Sequence, residues 1–546
     1  MVNINQIPLM FRAQIEGRCQ IQRLIPKQET QEAYHWVDQW VEGVEEEIPD
    51  FSSNIQTKEY QMTWRFVSNG GQDEGVIRPV IGAKGFPFYP GSSMKGAFLR
   101  ACTEEEALKY CGGKKGNEIN PGILRFHGGY PNSLEWIEEE LVDIVHPQQD
   151  WQVKTNANHS AFIQISLHQP TLVFGISSTR TLEVQEWEKI WKIWEAALGK
   201  GIGCRVSAGY GQPKNHTANS LLSIHLQGKG LASQSIKKGN NEVKGEFRAN
   251  LFKAALRGHT LRLLGGVTDE KTAERLTQEL WGGIGGTSGA TIGQLGISFE
   301  VKQLSLDKFT YTPSRYPVSF PTYKVKGRLD LLCLQNLSEK KQENLTRFVT
   351  DLIQFSLLLG GFGKSWRRVD HELFFPEYLK NGNKPMIGCH WQFIEQSRKL
   401  YIPVNQLEDI KRFLEGIYQS MQGWVKYKKA NLNLLGCNWR EAFHPNRVQV
   451  WGRIANSQDD SEAIYWFHQA YRSNQTIKQT ELTGKLNKIG RIWHRMYPRS
   501  ILVERGRKYT SEYVELLTIF PDDSQNTRDF ILFLQESSSF EKLWGN

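Results

Sequence analysis

Between Gly70 and Cys102 the sequence GGQDEGVIRPVIGAKGFPFYPGSSMKGAFLRAC sets a carboxylate, two hydroxyls and an ammonium ahead of an apolar periodic stretch. Met94, Ala97, Phe98 and Ala101 recur at i, i+3, i+4 and i+7, the buried stripe of a helix. Ser93 is the natural N-cap, because its hydroxyl accepts a first-turn N–H. Lys95 and Arg100 fall off the stripe. A helix start carrying Ser92, Ser93 and Lys95 suits an anion, phosphate above all. The other reading is an ordinary Pro-Gly turn with a good cap, and the motif alone leaves both open. Asp73 sits in a glycine-rich loop just ahead, with Glu74 beside it. An aspartate there is ordinarily a solvated turn residue.

The elements around these residues follow from periodicity. Arg12 to Leu24 and Tyr60 to Val67 alternate apolar and polar residues, as strands do. GILRFHGGYP (122–131) is a short strand, and SAFIQISLHQPTLVFGISS supplies more. ELVDIVHPQQDW reads as a projecting hairpin or loop. EVQEWEKIWKIWEAALGKGIG is a helix with Trp187, Ile190, Trp191 and Trp194 on one side, running into the glycine-rich GKGIGCRVSAGYGQ (199–212). A looser copy of this order follows. SLLSIHLQGKGL (220–231) is a strand and 245–266 a helix. IGQLGISFEVKQL and YKVKGRLDLLCL are strands. Thr346 to Arg368 is a helix entering a second glycine turn. The pattern is an internal duplication, with modules at 1–215 and 216–400. An acidic helical insertion lies near 29–50. The tail 401–546, with its basic run TGKLNKIGRIWHRMYPRS, either completes the second module or forms an appendage.

The bulk numbers narrow the class. A chain of 546 residues exceeds one ordinary core. With 67 Lys+Arg against 58 Asp+Glu the net charge is +9, which favours an anionic partner. Aromatics make up 11%, including 17 Trp; basic plus aromatic is the composition of single-stranded nucleic-acid grooves, although any single Trp is more often core. Seven cysteines without a CxxC pair argue against a disulfide framework and a zinc ribbon, and fit a reducing cytoplasm. No apolar run reaches the roughly 18 residues of a membrane span, and the first residues lack the pattern of a signal peptide.

Several motifs together resemble the RAMP superfamily, the repeat-associated RNA-binding proteins of CRISPR systems. GGQDEGVIR with FYPGSSMKG is similar to the Gly-Gly-x-Asp and Pro-Gly-Ser-Ser run of type III effector backbone subunits. GILRFHGGYP, LVDIVHPQQDW and GIGCRVSAGYGQ resemble further segments of that family. In the second module FRANLFKAALRG, ELWGG and GGFGKSWRR resemble the Phe-Arg-Gly, Leu-Phe-Gly and Gly-Gly-x-Gly pattern of other RAMP subunits. The resemblance covers most of residues 1–370.

It implies an α+β chain of two modified ferredoxin-like, RRM-type modules with insertions and a C-terminal extension. It implies a ribonucleoprotein with a CRISPR RNA, a target RNA, other RAMP-type subunits and the large subunit as partners. Ser92, Ser93, Lys95 and Arg100 would hold RNA phosphates. Gly203 and its loop would approach RNA closely, with Arg205 adding charge and Tyr210 either stacking on a base or filling the core. Asp73 would be the catalytic residue for target-RNA cleavage and would hold Mg2+, with Glu74 as runner-up. In the second module, which offers no aspartate before its helix, Arg248, Asn250, Lys253 and Arg257 read as an RNA-binding stripe or a solvated face. Lys364, Arg367 and Arg368 would complete the cradle, with Asp370 a second acid beyond it. The alternatives are a non-catalytic guide-RNA scaffold and a CRISPR-RNA-processing ribonuclease. The latter commonly uses a histidine that the segment Asp73 to Cys102 lacks.

Overall fold

The computed structural model describes residues 31–68, 70, 72–73, 76–115, 118–145, 150–154, 162–215, 220–236, 243–284, 290–311, 318–363, 367–375, 388–484, 490–504 and 506–546. The expected strand Arg12–Leu24, Glu74 and Lys364 lie outside these residues. The architecture is mixed α+β, with several small antiparallel sheets.

In the N-terminal part, β1 (Gln56–Gln61), α1 (Gly91–Ala101), β2 (Leu124–Pro131), β3 (Thr171–Ser178) and α2 (Val184–Leu198) follow in that order. The sheet runs β1-β3-β2, antiparallel throughout. Met94, Ala97 and Phe98 of α1 are buried, as their spacing predicts. Ile190, Trp191 and Trp194 of α2 are buried beside them in one core, and Trp187 packs against its edge. The start of α1 differs from expectation. Pro90 is the N-cap, extended at φ −62° and ψ 142°, and Ser93 lies inside the first turn without a side-chain cap bond. The reason is steric: a Cβ on Gly91 would stand 2.0 Å from the Phe126 carbonyl, so only glycine lets the helix begin against β2.

The middle part repeats the order in full, with β4 (Ser220–Leu231), α3 (Asn250–Gly265), β5 (Leu295–Tyr311), β6 (Val318–Cys333), α4 (Glu339–Phe355) and β7 (His390–Phe393). Its sheet runs β5-β6-β4-β7, again antiparallel. Ile224, Leu226, Gly228 and Gly230 of β4 point inward, while Ser223 and Gln227 stay exposed.

The tail carries a further sheet built from β8 (Gln449–Ala455), β9 (Ile492–Val503), β10 (Gly506–Ile519) and β11 (Glu541–Trp544), with α5 (Gln525–Ser537) between the last two. The order is β9-β10-β8-β11, and Arg367–Arg368 adds in parallel to β9. One face of this sheet joins the core of the middle part through Trp493, Val514, Leu516 and Trp544. The other closes over Phe530, Phe533 and Ile464. Within the basic run of the tail, Ile492 to Tyr497 form a buried stretch of β9. Arg495 donates to the carbonyls of Leu357, Arg368 and Trp391, which replace the water it has lost.

A paired substitution tests the start of α1. Gly91→Ala should cost about 1–3 kcal/mol through overpacking. Gly96→Ala, where the nearest atom to a new Cβ is 3.8 Å away, should stabilise by up to about 1 kcal/mol. Urea midpoints would check both.

Candidate nucleic-acid interface

Residues 199–212 form a chain of tight turns held on the strand Arg65–Phe66. The Gly211 amide donates to the Arg65 carbonyl at 2.8 Å, and the Cys204 amide to Val67 at 2.9 Å. Gly211 must be glycine, because a Cβ there would lie 1.9 Å from the Ile202 carbonyl and its φ is +59°. Arg205 adopts a left-handed φ of 59°, a conformation costly for a residue with a side chain. The tertiary structure holds it there.

The loop rests on α3. Lys253 donates to the Ser207 hydroxyl at 2.7 Å and is 7% exposed. Burial, with Arg205 and Arg257 nearby, pushes its ammonium down to about 7. Arg257 is 9% exposed. Arg205 lies over the Tyr210 ring at 5.5 Å. The stripe read on α3 is thus no solvated face, since a second element covers it.

Beneath this cation cluster lies a buried polar network centred on Asp143, which is fully buried. Its carboxylate accepts from Arg248 at 2.6 Å, from the Tyr210 hydroxyl at 2.7 Å and from Gln164 at 2.5 Å. Arg248 also donates to Glu246 at 3.1 Å, and Arg65 forks onto Glu246 at 2.7 and 3.1 Å. Burial alone would raise the Glu246 carboxyl, but Arg65 overcomes it and holds it below its ordinary value. Burial, then the charge of Asp143, raises the Tyr210 phenol far above its usual range. Tyr210 is therefore a core tyrosine in this conformation.

The structure brings Gly203, Arg205 and Tyr210 of the N-terminal part together with Arg248, Lys253 and Arg257 of the middle part. Arg100 is exposed at the far end of α1, where its charge acts on Tyr89, whose hydroxyl faces the Gly203 backbone. Ser92, Ser93 and Lys95 stay exposed along the first half of that helix, about 12, 10 and 8 Å from Arg100 along the axis at 1.5 Å per residue. Arg368 turns inward instead. It donates to the Gly363 carbonyl at 2.9 Å and lies over Trp493 at 5.9 Å, holding its own loop. The backbone of Arg367 adds to the edge of the tail sheet in register with His494.

Asp73 lies in a two-residue strand, Gln72–Asp73, opposite Val76. That hairpin is the edge of a small sheet whose other side is Val142–Val145, so the strand of Asp143 and that of Asp73 bound the same sheet. Asp370 caps the short helix His371–Phe374 and pairs with Lys229. Sequence reasoning missed Asp143, Arg65 and Ser207. A signal existed for the first two: a charge inside an apolar run, in VDIV and in TWRFV, has to find a buried partner.

No family model matches the chain, and no curated protein matches it. Among solved structures it is similar to a chain of the type III-B Cmr-beta complex bound to cognate target RNA, at 18% identity and TM-score 0.24, covering 30% of this chain and 58% of that one. It is also similar to a chain of a type IV-B CRISPR complex, at 17% identity and TM-score 0.21, covering 29% of this chain and 87% of that one. At these scores the likeness carries no argument about fold or function. Among the described residues no helix is long and apolar enough to cross a membrane.

Two measurements test the junction. Asp143→Ala takes one of two carboxylates from buried Arg248 and removes the acceptor of the Tyr210 hydroxyl and the Gln164 amide, and should cost about 3–5 kcal/mol in urea unfolding. Lys253 gives a pH signature. Its folded value lies near 7 against an ordinary 10.5, so the unfolded chain binds more protons between those limits and stability gains with rising pH. Lys253→Met removes that gain. The variant's advantage at pH 7 should shrink by about 1 kcal/mol per pH unit between pH 8 and 9.5.

Proposed function

We propose that this chain is a CRISPR-RNA-binding backbone subunit of a type III effector complex that cuts guide-complementary target RNA at Asp73. One observation carries the reading. Three cations that the motif resemblance assigns to RNA in separate modules, Arg205, Lys253 and Arg257, converge on one glycine-rich loop. A phosphate seated there would restore the charge that burial takes from Lys253.

The strand orders support the module assignment. A β-α-β-β-α-β chain with its fourth strand beside the first is ferredoxin-like. The middle part has that order, the N-terminal sheet has its first three strands, and the tail sheet repeats the strand order with one full helix. We accordingly divide the chain at about residues 215 and 400, with 401–546 as a third unit.

For cleavage, the chain contributes Asp73 on a sheet edge, where a bound strand can reach it, and the cations that hold the RNA backbone. The 2′-hydroxyl would give up its proton to water and attack the adjacent 3′-phosphorus, and the 5′-oxygen would leave and take a proton from water, giving a 2′,3′-cyclic phosphate and a 5′-hydroxyl end. Among the described residues no group of three or more His, Cys, Asp or Glu could hold a metal. A lone carboxylate fits a Mg2+ that keeps waters and takes phosphate oxygens, not a protein-only cage. When bound, Mg2+ would supply charge stabilisation at the scissile phosphate.

The test is Asp73→Asn in the assembled complex. Asp and Asn match in size and shape, so assembly should survive. One band of the target-cleavage ladder should vanish while the others remain. An unchanged ladder would make this chain a scaffold, and cleavage undiminished in excess EDTA would remove the metal. The logarithm of the RNA affinity should also fall linearly with log salt, as counterion release requires.

A further inference from the structure

The outward face of the middle sheet carries two polar ladders that take no part in the junction. Ser305, Lys324, Lys229 and His390 stand side by side across β5, β6, β4 and β7. The next row on the same face is Gln303, Lys326, Gln227 and Gln392. Neighbours within a row are about 4.8 Å apart, and the rows about 6.8 Å apart. Lys229 and Lys324 are directly opposite, a like-charge pair that destabilises a sheet. Asp370 and Glu372 partly offset it, with Glu372 at 3.0 Å from Lys229 and 3.7 Å from Lys324. Lys326 is exposed beside them.

Two adjoining cavities open on this face, of about 350 and about 210 Å³. The larger is a groove over both ladders, where Lys229 and Lys324 face Asp370 and Glu372 and Lys326 adds a third positive charge. The smaller is balanced, with Lys229, Lys308 and Lys324 against Asp307, Asp370 and Glu372, and includes Phe309 and Phe375 in its wall, while the Tyr323 ring lies on the core side of β6. Burial, with Arg495 nearby, pushes His390 down to about 3, so its ring is neutral and accepts from the Gln392 amide at 2.5 Å. That leaves the Gln392 carbonyl oxygen as an acceptor on the groove.

We propose that this face binds a single-stranded RNA segment, with phosphates along the lysine and glutamine ladders and one base in the aromatic-walled pocket. The ligand must be anionic at one end and flat and uncharged at the other. An acidic peptide brings charge to both ends and leaves the aromatic wall unmatched, whereas a nucleotide unit meets both. Asp370 occupies a phosphate position on Lys229 and must yield it. The site goes beyond the junction reading and shares none of its residues.

Fluorescence anisotropy with a labelled short single-stranded RNA tests this on the full chain. Lys324→Gln/Lys326→Gln should weaken binding about tenfold and lower the salt slope by about two. Asp370→Asn keeps the acceptor for the Glu372 amide but removes the competing charge, so it should tighten binding at least about threefold, a gain that misfolding cannot mimic. An abasic strand of equal length should bind the native chain more weakly. Arg205→Ala/Arg257→Ala, at the junction, should leave these responses in place. Unchanged affinity and slope in the double-lysine variant, with RNA still bound, overturns this site and leaves the junction reading standing. Equal competition by a polyglutamate peptide overturns the ligand class, and full competition by a mononucleotide overturns the strand. No RNA binding by the native chain overturns both sites.

Discussion

The buried carboxylate of Asp143 is the constraint on which the N-terminal and middle parts jointly depend. A charge removed from water needs full compensation, and three donors from three different elements supply it: Arg248, Tyr210 and Gln164. Each donor in turn fixes something else. Tyr210 pins the glycine-rich loop, Arg248 orients the entry to α3 and Gln164, directly across from Asp143, locks two strands of the small sheet that also carries Asp73. The cation cluster above the network owes its position to this compensation. Trp64, Val67, Ala208 and Tyr210 of the N-terminal part lie in the same apolar cluster as α3 and the middle sheet, so the junction is a core and not a hinge.

The middle and tail sheets are joined by a different device. α3 is buried around almost its whole circumference, from Phe252 to Gly265. A helix that serves two layers cannot show the one-sided pattern of a surface helix. This explains why Lys253 and Arg257 read as a polar stripe in the sequence. Their polarity is real, but the surface that covers them comes from a loop some fifty residues earlier.

Local patterns were legible wherever one element packs on its own neighbour. The stripe of Met94, Ala97 and Phe98, the tryptophan side of α2 and the alternation of β4 all appear as the sequence predicts. The misreadings share a non-local cause. Ser93 is not the cap because Gly91 meets the Phe126 carbonyl, a contact across the sheet. The tail sheet was invisible because β9 carries His494 and Arg495 inward, where Glu515 and a set of backbone carbonyls receive them. Of the candidate site, the glycine loop and the cations were legible by type. Their convergence was not, since it depends on Asp143, one acid in an apolar strand.

The near-neutral ammonium of Lys253 has a calorimetric consequence. In the free chain at physiological pH this site is only partly protonated, because burial and two neighbouring guanidinium groups oppose the charge. An anion that settles against it reverses the balance, and a proton must then come from solution. Association at the junction would take up a fraction of a proton, and the measured heat would depend on the ionisation enthalpy of the buffer that surrenders it.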